Sequence, residues 1–235
     1  MNITTVGLDL AKNVFQVHGV NAAGEVIVRR RLRRAQVCMY FANLKPCLIG
    51  MEACGTSHFW ARQLVALGHE VKVIPPSYVK PYVRRGKNDA ADAEAICEAV
   101  TRHNMRFVPI KTEEQQAALM LHKARELLVR QHTMLVNALR AHMAELGMVA
   151  PLGRGKVRDI IAVIEDSEDE SIPDLAKAAL KPLVMQLRTN EDATAALDAE
   201  IKAWHKNNAA SQRLATIPGV GFLTASAIAA TVPDP

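Results

Sequence analysis

Four carboxylates stand at positions where they could share one site. Asp9 ends an apolar, strand-like segment, and Glu52 directly follows another. Asp89 and Asp92 are three residues apart, a spacing that places both on one face of a helix. The ends of neighbouring strands lie close together in a sheet, and a helix packed across them can bring all four acids to one place.

Such a cluster indicates metal-dependent phosphoryl-transfer chemistry. Carboxylates gathered at one point repel each other strongly, and they are tolerated where divalent cations neutralise them. Two Mg²⁺ ions can activate a nucleophile and stabilise the leaving oxygen. The alternative is that each acid is a helix cap or a surface charge, as Asp89 would be at the start of its helix. A buried, unpaired carboxylate is costly, which favours a shared cation for Asp9 and Glu52.

Basic residues accompany these acids and suit a nucleic-acid partner. The first 110 residues carry 15 Lys and Arg against 8 Asp and Glu, whereas the remainder carries 14 against 16. The positive charge is concentrated in residues 29–34 and in a loop with Arg84, Arg85 and Lys87. Clusters of this kind bind phosphate backbones. The alternative for each cluster is a solvated surface.

The segment of residues 214–229 predicts two helices joined by a tight turn through Gly219, Val220 and Gly221. This is a helix-hairpin-helix pattern. Its glycines let the backbone approach a phosphate, and the second helix, which includes Thr224, offers free N–H groups to the anion. We expect a sequence-independent DNA clamp, with an ordinary corner between two helices as the alternative.

The order of the strands and helices that must position these residues indicates an α/β fold. Alternating and apolar segments predict a three-stranded meander, followed by helices and strands in alternation. A meander followed by parallel crossovers is the ribonuclease H-like arrangement, with a mixed sheet. The predicted strands cover residues 3–10, 14–20, 25–32, 47–51 and 71–74, and the predicted helices cover residues 35–44, 57–67 and 89–103.

After Pro109 the sequence predicts long helices. Residues 112–146 contain neither Gly nor Pro, and apolar residues from Leu121 to Leu146 recur near a heptad spacing. A stripe of this length needs a partner, and residues 174–207 are the predicted second helix of a long antiparallel helical hairpin. The hairpin would serve as a spacer or as a dimerisation coil.

The composition excludes several protein classes. A hydrophobic fraction of 49% is too high for a disordered chain. An aromatic fraction of only 4% weighs against a platform that stacks single-stranded bases. No apolar run approaches the roughly 20 residues of a membrane-spanning helix, and the first residues lack the pattern of a signal peptide. We therefore expect a cytoplasmic protein.

Three blocks of the sequence resemble the Asp-Glu-Asp-Asp (DEDD) signature of the transposases of the insertion sequence 110 family, including its insertion sequence 1111 branch. The blocks are residues 6–12, 50–53 and 87–93. Residues 217–221 resemble the start of that family's C-terminal transposase domain. The resemblance covers essentially the whole chain.

The resemblance implies three parts. A RuvC-like DEDD domain would span residues 1–110, a helical coiled-coil hairpin residues 111–207, and the start of the C-terminal domain residues 208–235. In the family that last domain also supplies a catalytic serine, well beyond the Pro-Gly-Val-Gly turn. No matching block precedes Pro235, so we expect a truncated member or a fragment.

By the same resemblance, the catalytic metal ligands are Asp9, Glu52, Asp89 and Asp92, with Mg²⁺ as the cofactor. Lys12, in the first block, joins the basic loop as a nucleic-acid ligand. The implied partners are DNA, a structured guide RNA encoded by the element, and further copies of the chain through the helical hairpin. Two alternatives stand beside this transposase: a truncated, non-catalytic DNA- or RNA-binding protein, and a free-standing RuvC-like junction nuclease.

Overall fold

The computed structural model describes residues 2–83, 89–149 and 157–232, and of Asp89 the backbone alone. The chain divides into two compact units, Met1–Glu114 and Gln115–Pro235. The first unit is an α/β structure built on one sheet, and the second consists of helices.

The sheet of the first unit has five strands in the order β3-β2-β1-β4-β5. The strands β1, β2 and β3 are antiparallel neighbours, whereas β4 and β5 run parallel to β1. This confirms the predicted mixed sheet, and it is compatible with a ribonuclease H-like fold. The strands are β1 (Thr5–Asp9), β2 (Val14–Val20), β3 (Val26–Arg33), β4 (Leu48–Glu52) and β5 (Glu70–Ile74).

Helices cover both faces of this sheet. On one face, the inward side chains of β1 and β2 form the main core with buried residues of α1 and α2. On the other face lies α4, which contacts β1, β2 and β4. The helices of this unit are α1 (Val37–Ala42), α2 (Ser57–Ala66), the short α3 (Pro76–Val79) and α4 (Asp89–Ala99). The last of these ends four residues before the end of its predicted range.

Two strand glycines let α4 lie directly on the sheet. A Cβ atom placed on Gly7 of β1 would lie 2.0 Å from the carbonyl oxygen of Ala93 and 2.5 Å from the amide nitrogen of Cys97. A Cβ atom on Gly50 of β4 would lie 2.8 Å from Val100. Glycine within a strand often marks such a close backbone approach.

These contacts also fix the direction of α4. Ala93 lies over Gly7, while Cys97, one turn later, reaches the carbonyl oxygen of Thr5 with its Sγ atom at 3.9 Å. The helix therefore runs opposite to β1. Its first turn lies toward the end of the strand that carries Asp9.

The described part of the second unit, residues 115–149 and 157–232, forms five helices around a core of its own. They are α5 (Glu113–Glu145), which begins two residues before the unit, α6 (Val157–Glu165), α7 (Asp174–Asn207), α8 (Ala209–Ala215) and α9 (Phe222–Thr231). Side-chain contacts join α5 to α7 in antiparallel order, Arg125 with Asp198 and His132 with Glu191. No described helix is both long enough and apolar enough to span a membrane.

The interior of the second unit differs in detail from the predicted leucine stripe. Val136, Leu139 and Met143 of α5 are buried, whereas Ala124 and Leu146 are exposed. The reason is α6, which the sequence did not predict: its Ile160 and Ile164 pack into the same core and shift the buried face of α5.

We expect Gly7→Ala to destabilise the first unit, because the added methyl group would overlap the backbone of α4. Forced overpacking of this kind costs about 1–3 kcal/mol or more. Thermal or urea unfolding of the variant would measure the loss. Gly55→Ala is the matched control, since a Cβ atom there meets nothing within 4 Å. Equal stability of the two variants would contradict the close approach.

Candidate functional site

Asp9 and Glu52 lie side by side at one edge of the sheet. Each is the last residue of its strand. The residues directly before them, Leu8 of β1 and Met51 of β4, are partners in the parallel pairing of the two strands. Neighbouring strands are about 4.8 Å apart. Both carboxylates are half-buried at the carboxyl ends of these parallel strands. Glu52 thus ends β4, where the sequence had placed it just beyond the strand.

Asp92 approaches the same edge from α4. It precedes Ile96 by one helical turn, and Ile96 lies over Gly50 of β4. Because α4 runs opposite to the strands, the turn before Ile96 lies toward Glu52, two residues after Gly50. Asp92 is half-buried there.

The electrostatics of Glu52 agree with this placement. Burial raises the pKa of the Glu52 carboxyl above its ordinary value, and the negative charge of Asp92 raises this pKa further. The charge of Asp92 is thus close enough to disfavour the charged form of Glu52, as expected of acids gathered at one place. The repulsion between Glu52 and Asp92 lowers the stability of the fold as long as both carboxyls are ionised.

Asp89 begins α4 one turn before Asp92, and its side chain lies outside the described part of the chain. The backbone therefore places it at the same end of the helix as Asp92. Within residues 2–83, 90–149 and 157–232, no group of three or more His, Cys, Asp or Glu side chains is arranged to hold a metal ion. The donor set is nevertheless of the right kind, since carboxylate oxygens are the ligands that Mg²⁺ prefers.

Of the predicted nucleic-acid ligands in the first unit, the structure describes Lys12. It is exposed in the turn between β1 and β2, three residues after Asp9. The predictions for Arg84, Arg85 and Lys87 lie outside the described residues.

The predicted turn near the C-terminus lies between α8 and α9. Gly219 has a φ of +85°, a conformation that favours glycine, and Gly221 is the N-cap of α9 without a side-chain cap. Val220 is half-buried, and its amide donates to the carbonyl oxygen of Ile217 at 3.0 Å. Thr224 is exposed in the first turn of α9. The exposed residues of this turn and of the start of α9 are thus Gly219, Gly221 and Thr224.

Ser226, in the same helix, has a different role. It is fully buried, its hydroxyl donates to the carbonyl oxygen of Phe222 at 2.6 Å, and it lies 3.1 Å from Nε2 of His122. This side chain ties α9 to α5 inside the second unit.

The arginines of residues 29–34 lie on two different faces of the sheet. In the structure, Arg29 and Arg31 share the α4 face of the sheet, whereas Arg30 lies on the opposite face against Tyr40. Two buried polar residues of β2, Gln16 and His18, also lie on the α4 face and were not predicted. The two-residue period of a strand was the signal that could have shown this.

Comparisons with known proteins identify relatives of this chain. A family model described as transposase, for the DEDD transposases of IS110, matches residues 6–148. A probable family 20 transposase of Pseudomonas aeruginosa is 46% identical over the whole chain, which covers 70% of that protein. A putative transposase of Sinorhizobium fredii is also 46% identical, over 99% of the chain and 60% of its own length. The transposase for insertion sequence element IS1111A of Coxiella burnetii is 40% identical, over 99% of the chain and 64% of its own length.

We expect Glu52→Gln to stabilise the metal-free protein at neutral pH, because it removes a charge that burial and Asp92 disfavour. The folded-state pKa is raised, so wild-type stability falls as pH rises from the ordinary glutamate pKa through the raised value. The gain should therefore vanish at pH values below the ordinary pKa. Melting curves between pH 4 and pH 8 in a chelating buffer would show a rise of a few degrees at most, since about 1 kcal/mol moves the Tm by roughly 2–4 °C.

The control is Glu98→Gln on the same helix, where the carboxylate is exposed and paired with Arg102. It should not gain stability at neutral pH. A variant of Glu52 that is less stable than wild type at pH 7 would show that this carboxylate is not under electrostatic stress.

Proposed function

The chain belongs to the insertion sequence 110 family of DEDD transposases, and we propose that it binds DNA and catalyses Mg²⁺-dependent strand cleavage and transfer with its four acids. Transposases of this kind move an insertion sequence within DNA. The observation that carries the proposal is the convergence of Asp9, Glu52 and Asp92 on one edge of the sheet, with the backbone of Asp89 one turn further along α4.

The metal ligands in this proposal are Asp9, Glu52, Asp89 and Asp92. The raised pKa of Glu52 supports it, because a carboxylate that burial and Asp92 both disfavour is relieved by a nearby cation. When bound, divalent cations activate the attacking oxygen and stabilise the leaving oxygen in phosphoryl transfer.

The protein's own contribution is rigid placement. Asp9 and Glu52 are held by neighbouring strands whose backbones are fixed by the sheet ladder, and Asp92 is held by a helix that rests on glycine backbone. Sites built on strands and helices keep their ligands in position better than sites built on loops. The phosphodiester would lie at this edge, within reach of the carboxylates.

The basic residues and the α8–α9 turn complete the proposal as contacts to the phosphate backbone. Lys12 lies beside the acid-bearing edge. The proposal also includes Arg84, Arg85 and Lys87, which precede α4 in the sequence. In the second unit, a helix-hairpin-helix clamp would use Gly219, Val220, Gly221 and Thr224. The exposed Gly221 and Thr224 at the start of α9 support this, because free N–H groups at a helix N-terminus bind anions.

The proposed parts of the protein follow the resemblance to its family. They are a RuvC-like domain of residues 1–110, a helical hairpin of residues 111–207 and a C-terminal segment of residues 208–235. A structured RNA would guide the transposase to its DNA. The hairpin would join copies of the chain, and the exposed Met120, Leu127 and Met134 of α5 support this because they recur at heptad spacing.

We expect Asp9→Ala and Asp92→Asn each to abolish Mg²⁺-dependent cleavage of DNA carrying the element's ends. Loss even of groups that only orient metal ligands costs 10- to 100-fold in activity, so loss of a ligand should cost roughly 100-fold or more. A gel-based cleavage assay with and without Mg²⁺ would measure it, with circular dichroism to show that the fold is intact.

Glu98→Gln is again the matched control, because it removes a carboxylate from the far, exposed end of α4. It should cleave like wild type. Retained metal-dependent cleavage in both acid variants would show that the four-acid site is wrong. Retained DNA binding without any cleavage in the wild type would favour a non-catalytic binding protein.

Binding of duplex DNA should weaken steeply with salt, because each phosphate contact releases counterions. A protein that contacts about six phosphates loses about 10³-fold in affinity between 50 and 200 mM salt. Fluorescence anisotropy over this range would give the slope. Binding that is insensitive to salt would contradict the phosphate contacts.

A further inference from the structure

We propose that the α4 face of the edge strand β3 is a track for the DNA strand that is cleaved, with Arg29, Arg31 and Arg33 contacting its phosphates. This inference rests on the proposed function, because it takes the acids at the end of β1 as the point of cleavage. It assigns a role to a part of the basic run that the four-acid site does not use.

Strand geometry divides this run into two sets. Leu32 of β3 is buried in the core formed with α1 and α2, so its neighbours in sequence, Arg31 and Arg33, point to the opposite face. Arg29 lies on that face too, with its guanidinium 3.6 Å from Glu94 of α4. All three arginines are exposed.

The remaining arginines have structural contacts on the core side. The guanidinium of Arg30 lies 5.4 Å from the ring centre of Tyr40, and that of Arg34 lies 5.0 Å from the ring centre of Trp60. Such cation–π contacts are modestly stabilising. The core-side pair therefore covers aromatic residues. Of the α4-face set, Arg29 pairs with Glu94, and the exposed Arg31 and Arg33 are available to a ligand.

The register of the sheet aligns the α4-face arginines with the acids. Asp9 of β1 is the cross-strand partner of Gln16 of β2, and Gln16 is the partner of Arg31. Two strand spacings, about 10 Å, thus separate Arg31 from Asp9 along one row on one face. This corresponds to about three nucleotides of rise along one strand of B-DNA.

A cleft of about 200 Å³ lies between these strands and α4. Its helix side is formed by the small side chains of Ala90 and Ala93, and its strand side includes the buried Gln16 and His18 beside the arginines. The rim of the cleft therefore carries arginines, one of them paired with Glu94, and the buried residues at its base are polar. This suits a sugar–phosphate chain more than an apolar ligand.

The position of the track favours the cleaved DNA strand over a guide RNA. A DNA strand bound at Arg31 lies about 10 Å from Asp9 across the sheet, so that a phosphate of the same strand would meet the carboxylates. An RNA that is not cleaved has no need of the acid-bearing face. The track and the four acids would then act on the same strand.

The test compares two double variants of equal charge change, Arg31→Gln/Arg33→Gln on the α4 face and Arg30→Gln/Arg34→Gln on the core side. Anisotropy with a duplex of the element's end, measured over 50–200 mM salt, gives the slope of log affinity against log salt. We expect the α4-face variant to lower this slope by about 1.8, since each lost phosphate contact accounts for about 0.9. The core-side variant should keep the wild-type slope and melt at a lower temperature.

A parallel titration with a structured RNA separates the two nucleic acids. A slope that changes for RNA and not for DNA would overturn the assignment to DNA, and equal slopes for both variants would overturn the track itself. Asp92→Asn tests the proposed function independently. If Asp92→Asn still cleaves DNA while the α4-face variant shows the lower salt slope, the proposed four-acid site is wrong and the proposed track is supported. If Asp92→Asn is inactive while the α4-face variant binds DNA with the wild-type slope, the four-acid site is supported and the proposed track is wrong.

Discussion

The contact between α4 and the sheet is the constraint on which the rest of the first unit depends. A helix normally stands off a sheet by the thickness of two layers of side chains, but here Gly7 and Gly50 remove one layer. The backbone of α4 comes so close that a Cβ on Gly7 would lie 2.0 Å from Ala93 O. This approach sets the height, direction and rotation of the helix. Asp92 reaches the strand ends because of it.

Bringing acids together in this way costs stability. Burial and the charge of Asp92 both raise the pKa of Glu52, so the folded, metal-free protein disfavours the charged form of this carboxyl. The hydrogen-bonded pairing of β1 with β4 and the close packing of α4 oppose the repulsion between the carboxylates, because they hold the two strand ends and the helix together.

The basic run in β3 shows how one segment can serve two faces. Leu32 anchors the strand in the core, and the two-residue period then assigns alternate arginines to opposite sides. Those on the core side, Arg30 and Arg34, cover Tyr40 and Trp60. Those on the other side face the same direction as Asp9. The register between β1, β2 and β3 connects a charge pattern in the sequence to a direction along the sheet.

The sequence by itself determined the kinds of element and the residues that could do chemistry. Alternation and apolar runs depend on local spacing alone, so the five strands, the two long helices and the carboxylates at strand ends were predictable. Packing decided the rest. Neither α6 nor the burial of Met143 in place of Leu146 follows from a heptad stripe, because a third helix occupies that core. The approach of Asp92 to Glu52 and the row from Asp9 to Arg31 depend on register and helix height, which arise only when distant segments meet.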